Sequence, residues 1–153
     1  MKYRSDDEIE HAARSLRIRL SIDEEDRPNM AEALAKAKAL GIIKDYVQLD
    51  TLPNAPGAEA KFDPSEGKIF ITKRAYIAAK NNSPRARYTV AHELGHQELD
   101  HTRTRYRTFQ SRTASGRVAS STEIRDESDA NRYAAAFLCP YDFAWANFPK
   151  ARK

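Results

Sequence analysis

YTVAHELGHQELDH, residues 88–101, sets two histidines four apart with a glutamate directly after the first. On a helix, residues at that spacing lie one turn apart on the same face, so His92 and His96 can present two imidazole nitrogens to one ion. Glu93 points elsewhere and cannot join them on that ion. It can reach a water held at an open coordination position, which is the arrangement H-E-x-x-H, where the glutamate is the general base of metallopeptidases. The bland alternative is a surface helix that happens to contain histidines. The helix itself is well marked: Ser83 and Pro84 supply an N-cap and a first helical residue, and the pattern runs to about Leu99.

A catalytic zinc needs a third protein ligand and keeps one position for water. Downstream, Ser120 with Glu123 reads as a capping box that starts a second helix, with Ile124, Glu127, Asn131, Ala134 and Leu138 on one face until Pro140 stops it. This helix offers Glu123, Asp126, Glu127 and Asp129. Glu127 and Asn131 stand one turn apart and can share the work, the carboxylate to the metal and the amide oxygen to a histidine N–H that needs orienting. Asp129 lies on the opposite side, and Glu123 is engaged in the cap.

Upstream, Ser5 with Glu8 is another capping box, and Ile9, Ala12, Ala13, Leu16 and Leu20 recur at helical spacing. Pro28 opens a further helix with Met30, Ala33, Leu34, Ala37 and Leu40 on a stripe and Gly41 placed to end it. Between Ile42 and Thr72 the period shortens. DYVQLDTL, AEAKFD and KIFITK alternate, are rich in β-branched or aromatic residues, and are separated by Pro, Gly and Asp, with DPSEG predicting a hairpin. These patterns predict an α+β fold: N-terminal helices, a small antiparallel sheet, the H-E-x-x-H helix and a following helix with the third ligand. A short aromatic tail, YDFAWANF, closes the chain.

The length of 153 residues suits one domain, 1–153, with a core of its own. With 41% hydrophobic and 31% charged residues the composition is that of a soluble globular protein. The acidic N-terminal stretch lacks the apolar core of a signal peptide and no run could span a bilayer, so a cytoplasmic protein without membrane contact is expected. A single cysteine, Cys139, excludes an internal disulfide and a multi-cysteine zinc site. The formal charge is +4, but its distribution matters more: Thr102 to Thr122 holds five arginines and no acid. Arg105 and Arg107 in this run are candidates for contact with an acidic protein substrate, against the reading of a solvated loop. Direct nucleic-acid binding is not expected, because SDDEIE and DEED in the N-terminal helices would repel phosphate.

RYTVAHELGH at 87–96 followed by ESDANRYAAAFLCP at 127–140 resembles the ImmA/IrrE family of metallopeptidases, whose pattern is H-E-x-x-H and then E-x-x-A-[ND]-x-[FY]-A-A-x-[FL]-L-x-P. The second motif agrees at Glu127, Ala130, Asn131, Tyr133, Ala134, Ala135, Leu138 and Pro140, and GKIFIT resembles the sheet segment before that family's active-site helix. The likeness covers about Lys44 to Pro140. It implies a zincin-like domain and a gluzincin-like hydrolase in which His92, His96 and Glu127 hold Zn2+ and Glu93 takes a proton from the attacking water. It also implies a regulatory role in transcription or stress response, with a helix-turn-helix repressor as protein substrate. The rival reading is a non-catalytic, metal-stabilised partner-binding or toxin-antitoxin module. His101 is expected to be a surface or helix-end histidine rather than a fourth ligand. Tyr88, Tyr106 and Tyr133 are expected to pack rather than to donate to an oxyanion.

Overall fold

Ser5 starts the first helix as its capping box requires. Its hydroxyl accepts from Glu8 N–H at 3.1 Å, and the Glu8 carboxylate accepts from Ser5 N–H at 3.4 Å. The structure, a computed structural model, describes residues 4–53, 55–99 and 121–140. The order is α1 (Asp6–Arg19), α2 (Met30–Ala39), β1 (Asp45–Leu49), β2 (Ala60–Asp63), β3 (Lys68–Thr72), α3 (Lys73–Lys80), α4 (Pro84–Glu98) and α5 (Ser121–Leu138). This is the α+β architecture of a zincin-like domain. None of these helices is long and apolar enough to cross a membrane.

Three local readings need correction. The cap of α2 is Asn29, whose Oδ1 accepts from Glu32 N–H at 3.0 Å, so Pro28 stands one residue before the cap rather than at the first helical position. Gly41 does end the helix, at φ +75°, where a Cβ would be strained. Leu40 is 57% exposed, because it has already left the helical stripe as the C-cap. The helix α3 is not announced by the patterns above. Thr72 is at once the last residue of β3 and the N-cap of α3, accepting from Ala75 N–H at 3.1 Å, so no turn separates strand from helix.

The sheet is mixed rather than wholly antiparallel. β2 and β3 form the expected hairpin, pairing Phe62 with Ile69, and its turn is held by Gly67 N–H donating to Asp63 O at 2.8 Å. Asp63 Oδ1 also accepts from the Ser65 N–H and hydroxyl, at 2.9 and 2.6 Å. β1 lies on the other side of β3 and runs parallel to it, giving the order β1-β3-β2. Residues 50–59 together with β2 supply the crossover that parallel pairing demands. Side-chain alternation is the same in either direction, so the pattern of the sequence carries no sign of this.

α4 is the centre of the molecule. Every residue from Thr89 to His96 is buried, with α5 against one side and β2 against another. Val90 and Leu94 join Leu16, Leu34, Ile69, Ile71 and Phe137 in one core, where fully burying a side chain of that size contributes about 1.5–3 kcal/mol. Arg17 of α1 lies wholly inside, donating to the carbonyls of Phe137, Ile22, Asp23 and Glu25 at 2.6–3.0 Å. Burial holds its pKa below the ordinary arginine value, against the pull of Asp23 and Glu25. These four bonds tie the end of α5 to α1 and its following loop.

The buried stripe of α5 is Asp126, Ala130, Tyr133, Ala134 and Phe137. The expected face through Ile124, Glu127 and Asn131 is rotated away from it, and Ile124 is 48% exposed. That rotation leaves Glu127 and Asn131 at the margin of the interface with α4.

Candidate metal centre

Three side chains from two helices converge at one point. His92 Nε2 and His96 Nε2 are 3.1 Å apart, and the Glu127 carboxylate is 3.0 Å from the first and 3.1 Å from the second. Helical spacing sets the histidine pair, and the packing of α5 on α4 brings the carboxylate. Donors held at about 2.0–2.1 Å from a tetrahedral zinc stand roughly 3.3 Å from one another. The contacts of 3.0–3.1 Å are of that order, with Glu127 Oε2 turned to His92 and Oε1 to His96. Which ring nitrogen carries a proton decides whether these contacts are hydrogen bonds, and two unprotonated Nε2 atoms beside the carboxylate offer lone pairs to a cation. This is the one group of three or more potential ligands that comes together among the described residues. Both histidines are buried, while the Glu127 side chain is 29% exposed and opens the site to one side.

Glu93 is fully buried, and its Oε1 accepts from the main-chain N–H of Phe62 at 2.7 Å. Thr72 N–H donates to Glu59 O, so odd-numbered residues of β2 bond to β3 and the even ones turn their amides outward, toward α4. The edge strand therefore fixes the orientation of the glutamate in the motif. Farther along the same face of α4, Arg85 Nε and Thr89 Oγ1 meet Glu59 Oε2 at 3.2 and 3.5 Å, which aligns the strand with the helix.

The chain matches the family model of the IrrE N-terminal-like domain, Peptidase_M78, over residues 46–152. It belongs to this family. No curated protein and no solved structure matches it. Metallopeptidase chemistry is what the family suggests, and the donor set of this IrrE-like domain is of the kind such chemistry uses.

Other candidate ligands of the IrrE-like domain stand apart from that donor set. Asp129 is buried against Arg132 at 2.6 Å and Arg4 at 3.8 Å, while Glu123 and Asp126, which precede Glu127 on α5, are buried and are not among the three converging donors. Asn131 does not orient a histidine. Its Oδ1 accepts from the Tyr88 hydroxyl at 2.8 Å, because its place at the exposed margin of α5 meets α4 one turn before His92. Tyr133 packs: it is buried, stacks on Phe137 at 6.0 Å, and its hydroxyl has no hydrogen-bond partner among the described residues. Burial pushes that hydroxyl's pKa far up, which leaves it neutral. His101, Arg105, Tyr106, Arg107, the Ser120 cap and the aromatic tail lie outside the described residues.

Two features of the IrrE-like domain escaped the sequence reading. One is the Phe62 amide, since a main-chain contact leaves no residue-type signature. The other is Gly95, between the two histidines, where an added Cβ would sit 2.9 Å from Tyr133 Cδ1 and 3.1 Å from Cγ. The base of the Tyr133 side chain lies against the glycine, and α5 comes close enough for Glu127 to reach the histidines. A glycine inside a helix costs about 1 kcal/mol against alanine, and that cost was a legible hint of close approach.

Proposed function

We propose that the protein is a zinc-dependent regulatory endopeptidase of the cytoplasm whose metal is held by His92, His96 and Glu127 and whose general base is Glu93. The observation that carries this reading is the convergence of His92, His96 and Glu127 with contacts of 3.0–3.1 Å, and the buried Glu93 next to His92 in sequence. Zinc bound there supplies Lewis acidity, polarising a carbonyl and lowering the pKa of a water to roughly 7. Glu93 accepts the proton of the attacking water and returns it to the leaving amine, acting first as base and then as acid. The Phe62 N–H restrains the carboxylate in rotation, so its approach to the water is set before substrate arrives.

The resemblance to the ImmA/IrrE family supports a helix-turn-helix repressor as substrate, in a role in transcription or stress response. The acidic first turn of α1, Asp6, Asp7 and Glu8, argues against direct contact with DNA. Arg105 and Arg107, in the run joining the two ligand-bearing helices, are proposed to recruit an acidic substrate surface. Their charge reversal should slow capture, reduce its salt sensitivity and leave zinc content unchanged. The deciding experiment incubates zinc-loaded protein with a candidate repressor and reads intact mass. New fragments with wild-type protein and none with Glu93→Gln establish the peptidase. Zinc bound at full stoichiometry with no fragments from any candidate repressor would favour the partner-binding module.

A further inference from the structure

Tyr88 and Asn131 bridge the same two helices as the metal ligands do. Tyr88 stands one turn before His92 on α4, Asn131 stands one turn after Glu127 on α5, and the hydroxyl of the first donates to the amide oxygen of the second at 2.8 Å. The bridge therefore runs beside the His92–Glu127 contact of 3.0 Å, one helical turn away on each helix. The Tyr88 ring also lies against the His92 ring, with centroids 6.2 Å apart and planes tilted by 42°.

The two histidines are placed by one helix, but Glu127 belongs to another, so the third metal bond depends on the spacing between helices. Two contacts that need no metal set that spacing. On one side the Tyr133 ring rests on Gly95, which limits how closely α5 approaches. On the other side the Tyr88–Asn131 bond limits how far it can withdraw. Tyrosine suits this task, because a long ring with only two rotatable bonds reaches across at little entropic cost, and the neighbouring imidazole restrains it further. Neither residue is one of the three converging donors. Their effect on a bound ion is through the position of Glu127.

We infer that Tyr88 and Asn131 form a positioning pair that pre-sets Glu127 against His92 and His96, so that metal affinity depends on a hydrogen bond made entirely outside the ligand set. This rests on the metal-binding reading above. Removing a group that orients a ligand typically costs ten- to a hundredfold in metal affinity, and an indirect restraint belongs at the lower end, about tenfold.

The test is a double-mutant cycle in zinc affinity, measured by competition with a chromophoric chelator for wild type, Tyr88→Phe, Asn131→Ala and the double variant. Tyr88→Phe keeps the ring and loses only the hydroxyl, and Asn131 is exposed, so each protein is expected to fold. Each single variant should bind zinc about tenfold more weakly, and the double variant no more weakly than either, as expected of one shared interaction. The visible spectrum of the cobalt-substituted variants at saturation should differ from that of wild type, since the carboxylate no longer sits in its set position. A role in folding alone would lower the apo melting temperature and leave zinc affinity and the cobalt spectrum as they were. Zinc affinity within twofold of wild type in both single variants, or losses that simply add in the double, would overturn the inference. Failure of the wild type itself to bind zinc would instead overturn the metal-binding reading.

Discussion

α4 and α5 each contribute to the same point, yet they do so from opposite situations. α4 is buried without interruption from Thr89 to His96, and its two donors are placed by the period of a single helix. α5 buries one stripe, Asp126, Ala130, Tyr133 and Phe137, and its donor Glu127 stands beside that stripe, partly in solvent. An error in α4 is limited to the rotamer of a histidine. An error in α5 includes every shift of one helix against another. A site divided in this way is half encoded locally and half by packing, so substitutions should separate the two halves by what they remove.

The largest effect belongs to the donors. Alanine at His92, His96 or Glu127 should reduce zinc by elemental analysis to about a tenth of an ion per chain or less, because three-ligand sites do not hold the metal with two. Stoichiometric zinc in Glu127→Ala alone would break the comparison, leaving α5 as scaffold and placing the third ligand elsewhere. Next comes Glu93→Gln, which belongs to α4 but holds no metal in this scheme. It should lower peptide cleavage by roughly 10²- to 10⁴-fold in an intact-mass time course while zinc content stays at the wild-type level.

Gly95→Ala sharpens the contrast between local preference and packing. Helix propensity alone favours alanine by about 1 kcal/mol, whereas overpacking against the Tyr133 ring should cost about 1–3 kcal/mol. Urea denaturation decides the sign, and a more stable variant would mean that α5 can withdraw without penalty. The smallest effect is expected of Tyr133→Phe. Its hydroxyl is buried without a partner among the described residues, so its removal should shift stability by less than about 1 kcal/mol, toward the more stable side, with cleavage retained. A large loss of activity with unchanged stability would make that hydroxyl a catalytic group after all.

What was legible in the sequence was whatever depends on near neighbours in the chain. The Ser5–Glu8 box formed as read, Pro84 took the first position of α4, and His92 with His96 turned to one side because helical geometry leaves no other choice. The turn at DPSEG closed through Asp63, Ser65 and Gly67 for the same reason. Glu127 was also legible, through its place in a second motif. Strand direction was not, since a period of two is blind to it. Nor was α3, whose cap is a strand residue.

By itself the sequence determined the class of fold, the helix carrying the paired histidines and the kind of ligand a metal would find, because capping, periodicity and side-chain chemistry act within a few residues. Only the tertiary structure decided that Asn131 meets Tyr88 rather than a histidine, that the Phe62 amide holds Glu93, and that Gly95 admits Tyr133. Each of these joins groups separated by at least 31 residues along the chain, as Phe62 and Glu93 are. Their meeting is settled by how α4, α5 and the edge strand pack around one core, where a rotation of one helix by a single residue changes which side chain stands at the site.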